Sequence, residues 1–405
     1  MTQTIGQSAA AQVAGELATL HRIEAELKTE LFEREDAIRA ALVALVARSH
    51  MVLLGPPGTG KSQLVRAVSL RFCNPAGQGL EYFVYLLTRF TTPEELFGPV
   101  SVHGLKNDTY ERIIVGKLPS AQVAFLDEIF KSSSAVLNIL LTILNERVFD
   151  NGTKRMNVPL ITLFGASNEM PQEALDLEAL WDRFLIRMKV GYLTEASFEK
   201  LLASQAAPAS PATPTSMTQA ELSKLQEAAA ALPIPPAITS ALVTLRRDLE
   251  KQKGIIASDR RWVQCLRLLQ SHALLEGRDA VEEDDLAILA LCLWKEEDQI
   301  AEIGRIVNKL ANPLNAKATE LKDRLISIRD AALRDLAAHQ GVDDAEANAR
   351  ATIIVTAMGK VKAATTNLTS LRDQAIEQGR SPKRMEQALT SAEAVRKQLM
   401  ELGGF

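Results

Sequence analysis

The chain has 405 residues, and at about 150 residues per domain this predicts two to three domains whose cores need no covalent staples. Apolar residues make up 47%, charged residues 24% and aromatics only 5%, a globular composition whose wealth of Ala and Leu favours helix. Lys plus Arg number 46 against 50 Asp plus Glu, so a formal net charge of −4 removes any global electrostatic case for nucleic-acid binding and leaves room only for a local basic patch.

Residues 13–31 place Val13, Leu17, Leu20, Ile23, Leu27 and Leu31 at three- and four-residue steps, which predicts an amphipathic helix. A second helix is expected over 34–47, a buried strand over 51–54, a helix over 62–72 and a strand over 83–87. Thr92 with Pro93 and two acidic residues predicts a helical turn. Between Pro99 and Gly116 the pattern turns to extended stretches over 100–103 and 110–115. An apolar strand over 123–126 ends in Asp127-Glu128, a helix is expected over 133–146, and Asp150-Asn151-Gly152 marks a hairpin over 148–157. A further apolar strand over 160–165 leads into Ala166-Ser167-Asn168. Strands alternating with helices predict an α/β fold with a mostly parallel sheet.

Residues 203–218 are dominated by Ala, Pro, Ser and Thr and read as a linker or long loop. Thr218 and Glu221 then fit a capping box that opens a helical region running to Trp294. The remainder is helical too. Leu321, Leu325, Ile328 and Ala332 form one stripe, and Leu389, Ala392, Val395 and Leu399 another. Pro313 interrupts or starts a helix, and turns are expected near 341–346 and 379–382. No repeat with a period of 20–50 residues is evident.

Gly55, Pro56, Pro57, Gly58, Thr59, Gly60, Lys61 and Ser62 fit G-x4-G-K-[ST] between a predicted strand and a predicted helix, the context of a phosphate-binding loop. Glycines let backbone N–H groups turn toward phosphate oxygens, and the helix start adds its positive end. Lys61 is expected to neutralise the β- and γ-phosphates and Ser62 to ligate Mg²⁺, with Gln63 next in line among the nucleotide-binding positions. Asp127 would hold Mg²⁺, and Glu128 would orient or deprotonate an attacking water. Asn168, at the end of a buried strand, could bond the γ-phosphate or the water, or simply cap the next turn. Arg183 lies in an otherwise apolar stretch beside Asp182, and by composition alone a surface ion pair is the simpler reading. Ser258 caps a helix whose first turn carries Arg260 and Arg261 against the helix dipole, which makes an anionic ligand plausible there.

Three cysteines, Cys73, Cys265 and Cys292, are far apart and form no CxxC pair, arguing against a disulfide framework and for a reducing compartment. The five histidines show no ligand spacing. The first residues lack a secretory pattern, and no apolar run nears the ~20 residues of a membrane span, so a cytoplasmic setting is expected.

The order of these features resembles the AAA+ plan, and its details resemble the MoxR group of AAA+ ATPases and, within it, the RavA (regulatory ATPase variant) subgroup. The resemblance rests on GPPGTGKS from Gly55, TRFTTPEELFGPVS from Thr88, VAFLDEIFK from Val123 and NILLTILNER from Asn138. ASNEMP from Ala166, LEALWDRFLIR from Leu177 and SDRRW from Ser258 complete it, over residues 11–294. It implies a P-loop AAA+ core over 1–202, with a helix-2 insert near 99–116 and a pre-sensor-1 hairpin near 148–157. The linker at 203–218, an all-α lid over 219–295 and a helical C-terminal extension over 296–405 would follow.

The resemblance also implies roles. Asn168 would be sensor 1, Arg183 the arginine finger and Arg260 the sensor 2 residue, with Arg261 competing for that last role. A homo-oligomeric, hexameric ring would bind ATP or ADP with Mg²⁺, hydrolyse ATP and remodel a protein client beside a von Willebrand factor A domain partner. RavA members carry a β-rich domain in the C-terminal arm; here only helical pattern is found, so partners bound through that domain are not expected. A nucleic-acid motor is the competing reading, which stimulation of ATPase by DNA would favour. A scaffold gated by ATP is another, favoured if no protein partner ever stimulates turnover.

Overall fold

The chain opens with α1 (Ala9–Gln12), α2 (Ala14–Glu30) and α3 (Glu35–Ala47). In this computed structural model, residues 9–73, 79–171, 175–206, 213–338, 344–377 and 382–403 are described. They divide between two units, Met1–Ile300 and Ala301–Phe405. Helix α2 buries Leu17, Leu20, Ile23 and Leu27, while α3 is buried along nearly its whole length, so α2 lies at a surface and α3 in the interior.

β1 (Met51–Leu54) is buried at every position, as a central parallel strand must be. α4 (Lys61–Ser69) ends before Phe72, which the helical pattern had included. Phe72 and Cys73 instead form β2, which pairs in parallel with Met217–Thr218. The chain continues through β3 (Tyr82–Leu86) and α5 (Pro93–Phe97), the latter held by a capping box between Thr92 and Glu95.

The expected extended stretch at 100–103 is corrected by α6 (Val102–Lys106). Ser101 Oγ accepts the Gly104 N–H at 3.0 Å and starts a helical turn that no periodicity announces. The stretch at 110–115 is extended and touches its neighbour by one bridge, Val100 to Arg112.

β4 (Val123–Asp127), α7 (Ser134–Glu146), the hairpin β5 (Val148–Asn151) and β6 (Lys154–Asn157), and β7 (Thr162–Ser167) follow. β7 starts two residues later than the apolar run and reaches Ser167, so Asn168 leaves directly from the strand end. Then come α8 (Leu175–Arg183), β8 (Ile186–Lys189) and α9 (Glu195–Ala206). The helix α9 takes in the start of the Pro-rich stretch, and β9 (Met217–Thr218) takes its end; residues 207–212 lie outside the described residues.

The main sheet is parallel, in the order β3-β4-β7-β1-β8. β1 pairs with β7 so that Leu54 faces Ser167, and with β8 so that Met51 faces Ile186. The first unit closes with α10 (Gln219–Ala231), α11 (Pro236–Lys253) and α12 (Asp259–Leu275). The last stretch before Trp294 is a 3-10 segment, Glu283–Leu291. This is a P-loop-type α/β core followed by a helical lid.

α13 (Gln299–Ala311) leads into the second unit, where Pro313 starts α14 (Pro313–Ala338) from a first-turn position that needs no N–H. α15 (Asp344–Glu377) and α16 (Lys383–Gly403) complete it. The core joins Leu325 and Ala332 of α14, Leu368 of α15 and Ala392, Val395 and Leu399 of α16. Leu321, Ile328 and Leu389 pack against it, so both stripes seen in the sequence face this core. The turns expected near 341–346 and 379–382 fall largely on residues outside the described set. Among the described residues no single helix is long and apolar enough to cross a membrane.

Leu368 is fully buried in this small core. Leu368→Ala is expected to destabilise the second unit by about 2–5 kcal/mol. Urea unfolding of the whole chain checks this; an unmoved helical transition contradicts the packing.

Candidate functional site

The phosphate-binding loop leaves the C-terminal end of β1. Gly55 N–H donates to the Ser167 carbonyl at 3.1 Å, which seats the loop beside β7. A Cβ at Gly55 would lie 1.9 Å from the Val190 carbonyl oxygen, so only glycine fits this close approach. Gly60 takes the left-handed conformation (φ +80°) as the N-cap of α4 and turns the chain into the helix.

Lys61 is the first residue of α4 and is buried. Its Nζ donates to the carbonyls of Gly55 (2.6 Å) and Pro56 (2.9 Å) and to Asn168 Oδ1 (3.0 Å), which uses all three protons. Burial pushes its pKa down, against the pull of Asp127 and Glu128. Thr59 Oγ1 donates to the Pro56 carbonyl at 2.9 Å, while Pro57, Ser62 and Gln63 are exposed.

At the end of β4, Glu128 sits at φ +53°, a left-handed conformation that costs a non-glycine residue roughly 1–2 kcal/mol. Asp127 Oδ1 accepts the Glu128 N–H at 3.0 Å and holds this turn. Asn168 Nδ2 donates to Glu128 Oε1 at 2.5 Å, and Lys131 lies 3.2 Å from the other carboxylate oxygen. One amide therefore bridges the ammonium of Lys61 and the carboxylate of Glu128.

These residues fit a nucleotide triphosphate with Mg²⁺. The loop turns at Gly58 and Gly60 in the left-handed region, Lys61 lies against its carbonyls, and Ser62 and Asp127 supply the hard oxygen donors that Mg²⁺ takes. Among the described residues no cluster of three His, Cys, Asp or Glu could hold a metal ion. A cation here would thus rest on Ser62, Asp127 and the phosphates themselves.

A cleft of about 240 Å³ borders the loop. Leu31, Phe32, Tyr192, Phe198 and Leu201 give it apolar walls, suited to a planar base. Arg34 ties its two sides together, donating from Nη2 to the carbonyls of Thr59 (3.0 Å) and Gly191 (2.7 Å). Tyr192 Oη donates to the Pro57 carbonyl at 3.3 Å. Sequence reasoning missed these residues. The only signal was a run of apolar residues at a helix break, at Leu31-Phe32.

Arg183, Arg260 and Arg261 lie elsewhere. Arg183 closes α8 just before β8, and β8 runs parallel to β1 with Met51 facing Ile186. The loop at Gly55 and the corner at Phe184-Leu185 therefore stand at opposite ends of the strand pair, about 13 Å of strand apart. Arg183 Nη1 is 3.9 Å from Asp182 Oδ2, and its Nε is buried without a partner. Arg187 lies over the Trp181 ring at 4.2 Å and donates to the carbonyls of Trp294 and Trp181. Burial and Arg261 push the Arg187 pKa far down, and Arg183 adds to the burial that lowers that of Arg260. Asp182 is the carboxylate that opposes these shifts. The corner thus holds an excess of positive charge.

Against known families, residues 18–227 match the model described as the MoxR domain in the MoxR-vWA-beta-propeller ternary systems. Residues 237–307 match an AAA lid domain. The chain belongs to the MoxR family of AAA+ ATPases.

Two uncharacterized proteins of Methanocaldococcus jannaschii are similar to this MoxR-family chain. One is 40% identical over 309 residues (75% of this chain, 78% of the relative) and the other 38% over 310 (76% and 80%). The chaperone MoxR1 of Mycobacterium tuberculosis is 24% identical over 288 residues, 68% of this chain and 74% of its own length. A solved structure described as a proposed ATPase from Cytophaga hutchinsonii superposes with a TM-score of 0.59 at 18% identity. It covers 73% of this chain and 96% of the other, a likeness of fold.

Within this MoxR-family fold, Lys61, Asp127, Glu128 and Asn168 come together, and Arg183 gathers with Arg260 and Arg261 in a second cluster. Lys61→Ala is expected to abolish or severely weaken nucleotide binding, because the one cation inside the loop is lost. Titration with a fluorescent ATP analogue checks this; wild-type affinity would overturn the assignment.

Proposed function

We propose that the chain forms a homo-oligomeric ring, by family resemblance a hexamer, that couples ATP hydrolysis to remodelling or activating a protein client. The observation that carries this reading is the division of the site. The loop with Lys61 and the cation-rich corner with Arg183 lie at opposite ends of β1 and β8, so they serve one phosphate only if a neighbouring subunit brings its corner to the loop. A corner with more guanidinium than carboxylate charge calls for an anion, and the γ-phosphate of a neighbour is suited to it.

The chain's own residues then divide the chemistry. Lys61 leaves the carbonyls of Gly55 and Pro56 to face the β- and γ-phosphates. Ser62 and Asp127 would hold Mg²⁺, whose charge screens the phosphates when bound. Glu128 takes the proton of the attacking water or orients it, and Asn168 fixes the carboxylate that does so. Arg183 from the next subunit stabilises the charge that builds on the transferred phosphoryl group.

Finer parts of the reading rest on resemblance. The matched model describes MoxR domains that work with von Willebrand factor A and β-propeller proteins, and a partner of the first kind is the one we propose. The RavA-like placement rests on the SDRRW stretch and its companions, and the setting is taken to be the cytoplasm.

Glu128→Gln keeps the shape of the side chain but cannot take a proton. It is expected to bind ATP normally and to turn over about 10²–10⁴ times more slowly. Steady-state ATPase assays with nucleotide titration check this; turnover within two-fold of wild type removes Glu128 from the role.

Arg183→Ala is expected to lower turnover by about 10³-fold or more while ATP affinity stays within a few-fold. Mixing it with Lys61→Ala should restore activity, since mixed rings contain interfaces with an intact Lys61 facing an intact Arg183. Subunit exchange is first verified by energy transfer between labelled subunits. Exchange without any recovery at any ratio would refute the trans arrangement.

A further inference from the structure

We propose that Arg261 is a positioning residue that clamps the Arg183 corner to the first turn of α12, and so sets where Arg183 meets the neighbouring subunit's nucleotide. The proposal rests on the trans reading of Arg183. A guanidinium has five N–H donors, and in Arg261 each of them ends on a protein acceptor. Nε donates to Asp182 Oδ1 at 3.1 Å. Nη1 donates to the carbonyls of Leu185 (3.2 Å) and Cys292 (2.7 Å), and Nη2 to those of Asp182 (3.0 Å) and Phe184 (3.1 Å). The residue is 2% exposed, so no donor remains for a phosphate.

The acceptors say what the clamp is for. Asp182, Phe184 and Leu185 flank Arg183 on both sides, and their carbonyls belong to the end of α8 and the turn into β8, where helical partners run out. One rigid planar group fixes the backbone before and after Arg183, which a flexible point charge could not do. The Cys292 carbonyl adds the segment that follows the lid's 3-10 turn. On the other side, Ser258 Oγ accepts the Arg261 N–H at 3.3 Å, so the helix cap fixes the root of the clamp.

Arg260 is its counterpart. One residue back along α12 it points about 100° away. It is half-buried, and among the described residues it has no hydrogen-bond or ion-pair partner. Of the two arginines that the sequence left open, Arg261 is directed inward to hold the corner and Arg260 is left to face an anion beside Arg183.

Arg261→Lys keeps the charge but gathers its donors on one nitrogen, so the turn around Arg183 loses most of its bonds. A misplacement of about 1 Å at a reacting centre costs on the order of 10²-fold in rate. The variant is expected to lose about 10–100-fold in kcat, with the ATP Kd within two-fold of wild type. Mixed with Lys61→Ala it should regain activity, because its own Lys61 site then receives an intact Arg183. The double variant Arg183→Ala/Arg261→Lys should be no slower than Arg183→Ala alone, since the clamp acts only through Arg183.

Asp182→Ala, which removes the carboxylate that Nε meets and leaves the four carbonyl bonds, should show a smaller kcat loss and the same rescue; it decides the matter if Arg261→Lys melts below the assay temperature. Wild-type turnover in a folded clamp variant, no rescue in mixed rings, or a further loss in the Arg183→Ala background would overturn the proposal. The trans reading fails separately: Arg183→Ala would then stay crippled in mixed rings with Lys61→Ala, or turn over like wild type on its own. If Arg183→Ala is crippled and rescued while the clamp variants are not impaired, only the positioning role falls.

Discussion

The register of one strand, β1, governs both halves of the candidate site. At its upper end Leu54 faces Ser167, which puts the Gly55 N–H on the Ser167 carbonyl and delivers Asn168 to Lys61. At its lower end Met51 faces Ile186, which fixes the corner that carries Arg183 at the opposite end of the strand pair. A slip of one residue would reverse which side chains of β1 face each layer. Full burial on both faces makes such a slip costly, and the shared register is therefore what holds loop and corner a fixed strand length apart.

How much of this was legible in the sequence depended on whether the deciding interaction was local. The α/β core with its lid was legible, since apolar runs and three- to four-residue spacing record burial directly. The loop residues, Asp127, Glu128 and Asn168 could be located because strand ends and glycines announce themselves. The short helix α6 could not be, since a Ser101 side chain and a close approach of Gly104 to Thr109 decide it. Nor could β2, whose two residues gain their identity from Met217 and Thr218 far along the chain. Arg34 bridges Thr59 and Gly191, the latter 157 residues away from it in sequence, and Arg260 differs from Arg261 only in which way tertiary acceptors lie.

The arginine corner also illustrates how burial of cations is tolerated here. Arg187 is enclosed, and its charge is accommodated by the face of Trp181 and by two carbonyls rather than by a carboxylate of its own. Trp181 in turn meets Trp294 and Phe130 edge-on, so the ring that supports the cation is itself braced from two directions. Phe130 belongs to the 3-10 turn that follows Glu128. The packing around the corner thus reaches the turn that carries the carboxylate.

The amide of Asn168 is a neutral dipole standing between two opposite charges, its oxygen toward Lys61 and its nitrogen toward Glu128. Its polarity matches both neighbours at once, which fixes its orientation without a third partner. It also works as a spacer. An ammonium and a carboxylate brought into direct contact in a partly dry pocket would bind each other and leave neither free for a ligand. An aspartate in this place would repel Glu128, and a lysine would repel Lys61. An uncharged side chain with an acceptor at one edge and a donor at the other keeps both charges in place and close by.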